Sequence, residues 1–140
     1  MPFPGSVDAT RGRHERKIAW GDIYWFHFGT AGSHQYTFAG PHPCVVLSDV
    51  ATVIPGTVVI APLTSAHHGR SGYAYHVPVG KSDCVGLDND SVVKADQLYC
   101  VDSADLIDEY YVGTLGAAVM KRIYLQLANA LNFRRALTGS

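Results

Sequence analysis

Helical periodicity occurs once in this chain, near its end. Leu115, Val119, Ile123, Leu127 and Leu131 recur at every fourth position, with Met120 and Ala130 widening the stripe and Lys121, Arg122 and Asn129 opposite. Thr114 is an acceptable N-cap for that helix. Everything before it consists of short β-branched and aromatic runs cut by glycine and proline, which suits strands and not a helical bundle. The expected fold is therefore mainly β, a small and strongly bent barrel or partly open sheet with one C-terminal helix against it.

Five or six strands are expected. Residues 18–28 are aromatic and β-branched with partial alternation, interrupted by Asp22 and His27. Residues 44–48 and 57–64 form the second and third strands, with Pro62 marking an edge, a bulge or a strand end. Tyr73, Tyr75, Val77 and Val79 alternate on one face of a fourth. Residues 91–101 read as one long strand or two joined at a bend, and Asp96 and Gln97 fall in it as structural hydrogen-bonding residues. There are no internal repeats.

A length of 140 residues with 47% hydrophobic and 16% charged residues describes one folded domain. The formal charge of −1 creates no global field to recruit a polyanion, so a nucleic acid would have to meet a local patch. Cys44, Cys84 and Cys100 are odd in number and form no CxxC pair, as expected of a reduced, cytoplasmic chain. No run of about eighteen apolar residues occurs, and the start lacks the apolar core of a signal peptide, so no membrane role is expected. Residues 1–17, with Arg11, Arg13, Arg16 and Lys17 and no periodicity, read as a flexible basic leader, and residues 134–140 as a C-terminal tail.

Chemistry concentrates in two polar loops. The first, residues 32–43, carries His34 and His42 around an insert with Tyr36 and Phe38, and glycines and prolines shape it just before an apolar strand. Two imidazoles can supply a base and an acid near neutral pH. Each also has a plainer use: His34 as a surface residue, His42 as part of a turn, Tyr36 and Phe38 in the core. The second loop, residues 65–72, carries His67, His68 and Arg70. Adjacent loop histidines point apart and no cysteine or carboxylate stands at ligand spacing, so neither a metal site nor a cofactor is expected.

Several blocks, in order, carry a resemblance to a known family. They are Gly21-Asp22-Ile23-Tyr24-Trp25, Gly32-Ser33-His34-Gln35, Pro43-Cys44-Val45-Val46-Leu47-Ser48 and Ala61-Pro62-Leu63-Thr64-Ser65. Tyr75-His76-Val77, Gly86-Leu87-Asp88, Asp90-Ser91-Val92-Val93, Asp96-Gln97 and Val101-Asp102 follow. Over roughly residues 20–132 the chain resembles the MazF/PemK toxins, the mRNA interferases of bacterial toxin–antitoxin pairs. The resemblance implies an SH3-like barrel of the CcdB/MazF type over residues 18–133, a homodimer, and a cognate antitoxin whose disordered tail folds onto the toxin. It also implies a toxin endoribonuclease that cleaves single-stranded RNA without metal, by 2′-hydroxyl attack.

Family members usually read Gly-Ser-Glu-Gln in the first loop and Arg-Pro before the second strand, and the family's chemistry is assigned to that glutamate, that arginine and a threonine after the third strand. Here His34 stands at the glutamate position, His42 at the arginine position, and Thr64 is retained, in a loop longer than the usual form. The catalytic residues implied are thus His42, Thr64 and His34, with Gln35, Tyr36, Phe38, Ser65, His67 and Arg70 contacting RNA. Thr64 could equally cap a strand end. The alternative is a family member that has lost cleavage and binds RNA or protein, as the related CcdB toxins bind gyrase.

Overall fold

The computed structural model describes residues 15–29, 39–50, 56–65 and 75–139. Seven strands appear among them: β1 (Asp22–His27), β2 (Pro41–Val46), β3 (Thr57–Ser65), β4 (His76–Val79), β5 (Ser91–Lys94), β6 (Tyr99–Asp102) and β7 (Tyr111–Thr114). Helices α1 (Ala117–Ala130) and α2 (Phe133–Thr138) follow. All pairings are antiparallel, in the order β4-β5-β3-β2-β1-β7, with β6 also paired to β3. The sheet curls into a half-barrel, the mainly β architecture expected.

β3 is the hub. On one edge it pairs β2 through Ile60–Pro62; on the other, Thr57–Ile60 pair β6 and Leu63–Ser65 pair β5. Pro62, which has no N–H to donate, falls where this second edge changes partner. Alternation splits the core. Ile23, Val45, Ala61, Leu63 and Val93 face Val119, Met120, Ile123 and Leu127 of α1. Tyr24, Cys44, Val46, Val58 and Ile60 face Leu106, Ile107 and Tyr110, which lie in and beside two short 3₁₀ turns.

The structure redraws several boundaries. β2 begins at Pro41 and not at Cys44, because Pro41, His42 and Pro43 already pair with His27, Phe26 and Trp25 of β1. Tyr75 has φ +70, so the alternation of β4 starts only at His76, with Val77 and Val79 buried. Residues 91–101 are two strands, and Asp96 and Gln97 lie in the turn between them, where Gln97 N–H donates to the Lys94 carbonyl at 3.1 Å. Gly116, not Thr114, is the N-cap of α1, since Thr114 is spent in β7. Leu131 lies past the helix end and is 49% exposed.

Asp22 is fully buried and fully partnered. It receives hydrogen bonds from the Ala19 N–H (2.9 Å), the Thr114 hydroxyl (2.8 Å) and the Arg16 guanidinium (3.1 Å). Arg16 also lies 3.7 Å over the Tyr111 ring, and the N–H groups of Glu15 and Arg16 donate to Asp108. A buried carboxylate is tolerated only when satisfied in this way.

Candidate functional site

β1 and β3 end, and β2 and β5 begin, at the same end of the sheet. There the strands frame a cleft of about 210 Å³. Trp25, Pro41, His42 and Pro43 line it from β1 and β2, and Leu63, Thr64, Ser65 and Ser91 from β3 and β5. Extending the β2–β3 register by two residues from Cys44↔Pro62 sets His42 opposite Thr64, on the face of Cys44 and Ile60. Two residues far apart in sequence thus become cross-strand neighbours.

His42 is half-buried, with its Nε2 3.1 Å from the Ala39 carbonyl oxygen and its ring 6.2 Å from that of Phe28. Burial pushes its pKa below the ordinary 6.5, and the Lys94 charge acts the same way; hydrogen bonds to the Ala39 and Leu63 backbone oppose without prevailing. The imidazole is therefore mainly neutral at pH 7. Thr64 is buried, only 8% exposed, next to the last residue of β3.

The remaining wall is the connection from β4 to β5, contributing Gly86, Leu87, Asp88 and Asn89. It is held against β7 by close approach: a Cβ on Gly86 would sit 2.1 Å from the Val112 carbonyl oxygen, and one on Gly113 2.6 Å from the Cys84 sulfur. Hydrogen bonds inside it run from Gly80 N–H to Asp83, Lys81 N–H to Asp90 and the Ser91 hydroxyl to the Asn89 carbonyl, at 2.9, 2.8 and 3.0 Å. Among the described residues no lysine or arginine lines the cleft, and Asp88 is its one carboxylate.

His42, Thr64 and Ser65 come together as a site. His34, Gln35, Tyr36, Phe38, His67 and Arg70 lie outside the described residues, on connections that leave from the ends of β1 and β3, at the cleft. Trp25, Asp88 and Asn89 had no place in the sequence-derived site. The signal for Trp25 and Asp88 was that each falls in a block of the resemblance, Gly21-Asp22-Ile23-Tyr24-Trp25 and Gly86-Leu87-Asp88, while Asn89 falls in none. Among the described residues no group of three His, Cys, Asp or Glu side chains could hold a metal ion.

Residues 19–131 match the family of PemK-like, MazF-like toxins of type II toxin–antitoxin systems. Among solved structures, an endoribonuclease in complex with its cognate antitoxin from Mycobacterial species is 28% identical, with a TM-score of 0.62 over 82% of this chain and 95% of that one. An endoribonuclease from Mycobacterial species is 25% identical, with a TM-score of 0.58 over 84% and 93%. MazF from Deinococcus radiodurans, 22% identical over 84% and 99%, shares the fold with a TM-score of 0.65. No curated protein matches the chain by sequence.

Proposed function

The chain belongs to the PemK-like, MazF-like toxin family, and from that premise we propose that it is an endoribonuclease cleaving single-stranded RNA without metal, neutralised by an antitoxin and active as a cytoplasmic homodimer. The observation that carries this reading is the convergence of His42 and Thr64 on one cleft, at the sheet end from which both polar connections depart. The 28% identical relative is an endoribonuclease bound to its cognate antitoxin, which supports both the activity and the partner. No helix among the described residues is long and apolar enough to cross a membrane.

The reaction needs a base for the 2′-hydroxyl proton, an acid for the departing 5′-oxygen and donors to the phosphorane. In this reading His34 is the base, His42 the acid and phosphate contact, and the Thr64 hydroxyl a donor to a phosphate oxygen. The free protein keeps His42 mainly neutral, so the bound phosphate must draw a proton onto the ring, as a nearby negative charge does. Attack on phosphorus breaks the P–O5′ bond and leaves a 2′,3′-cyclic phosphate and a 5′-hydroxyl. An imidazolium is a single donor where a guanidinium is a permanent fork, and losing one preorganised donor costs typically ~2.7–4 kcal/mol. Gln35, Tyr36, Phe38 and Ser65 would contact the RNA, with His67 and Arg70 supplying phosphate contacts.

One observation favours the second reading, a module that binds RNA or protein without cutting: no permanent cation lines the cleft among the described residues. A single experiment separates the two. Purified protein free of antitoxin is incubated with a long unstructured RNA in EDTA from pH 5 to 9, with His42→Ala alongside. Fragments bearing cyclic phosphate and 5′-hydroxyl ends that vanish in the variant are the expected result. Salt-dependent binding with no cleavage at any pH would leave the binding module.

A further inference from the structure

We propose that the cleft reads a base of single-stranded RNA, with Asp88 selecting guanine through its Watson–Crick edge and Trp25 supporting the base's face. The inference rests on the ribonuclease reading for its polymer, and it adds what that polymer must contain. The chemistry of the walls carries it. Among the described residues Asp88 is the cleft's one carboxylate and no lysine or arginine lines it, so the wall at Asp88 suits a neutral, planar group with hydrogen-bond donors, beside the phosphate that His42 and Thr64 would hold.

Asp88 and Asn89 are exposed, and within the described residues the Asp88 carboxylate takes no hydrogen bond. Its backbone is nonetheless fixed: Leu87 N–H donates to the Cys84 carbonyl at 3.1 Å, the Ser91 hydroxyl holds Asn89, and Gly86 abuts Val112. The backbone that carries the acceptor is held, and the carboxylate is open. Trp25 sits in β1, paired with Pro43, and both line the same cleft, giving it an aromatic and apolar wall. Unpaired RNA bases are held by stacking on aromatic rings and hydrogen bonding at their edges.

A carboxylate only accepts. Guanine alone offers two adjacent donors, N1–H and the exocyclic amine, matching both oxygens at once. Adenine and cytosine set one amine beside a ring acceptor, and uracil sets its single N–H between two carbonyls that the carboxylate repels.

The test is calorimetric titration with 2′-O-methyl hexamers, which cannot be cleaved: all-uridine, and the same with a single guanosine, adenosine or cytidine. The guanosine hexamer should bind about five- to a hundredfold tighter than all-uridine, the span of one good bidentate base contact. Asp88→Asn should shrink that preference to within about twofold while binding of all-uridine stays, and Trp25→Leu should weaken all four hexamers together. Equal binding of the four by the unmodified protein, binding of none, or a preference that survives Asp88→Asn would each overturn the proposal. Cleavage of ordinary RNA by the same preparation judges the ribonuclease reading separately, since a guanosine preference without cleavage keeps the pocket and removes the enzyme.

Discussion

At the scale of single residues, burial sets what His42 can do. Its pKa lies below 6.5 in the folded chain, so the folded state holds fewer protons than the unfolded one between that depressed value and 6.5. The stability this contributes is complete above 6.5 and is lost as pH falls through the folded-state value. Denaturant titrations at pH 7 and 5 should therefore show a larger loss for the parent than for His42→Asn. With His42 as the proposed acid, cleavage has the opposite trend: the rate should fall as pH rises toward 9, and His42→Arg should flatten that fall and raise the rate if position 42 meets phosphate. Arg16 gives a second test. Arg16→Met removes a charged partner from a fully buried Asp22 and should cost about 1–3 kcal/mol in chemical denaturation.

At the scale of elements, the cleft depends on two backbones in contact, the β4–β5 connection and β7. A methyl at position 86 would collide with the Val112 carbonyl, so Gly86→Ala must push the wall off β7. It should lower stability by about 1–3 kcal/mol, as overpacking does, and depress RNA binding beyond what that loss explains. The sequence made α1 legible because its contacts are local: Ile123→Ala should cost about 2–5 kcal/mol, whereas exposed Leu137→Ala should stay within about 0.5 kcal/mol. β7 was illegible for the converse reason. It is four residues long, contains Gly113, and exists because β1 pairs with it from about ninety positions away, a relation no local period records. The site divides the same way. His42, Thr64 and Ser65 stood out through residue type and the order of blocks, while Trp25, Asp88 and Asn89 became neighbours only when β1 and the β4–β5 connection closed on the same space.

At the scale of the whole molecule, β1 is held between β2, which follows it closely, and β7, which comes near the end of the chain. Asp22 waits for Thr114, 92 residues later, and Arg16 N–H for Asp108, also 92 later. Contacts of such separation are the slow ones to form, because chain entropy is spent before they repay it. During synthesis the ribosome must deliver β7 before the buried carboxylate is satisfied and before Val112 can back the cleft. A fold closed this way is out of reach of a partial chain: nascent chains arrested before residue 111 lack the Thr114 hydroxyl that completes Asp22 and the Val112 wall of the cleft, and under the proposed activity they should cut no RNA.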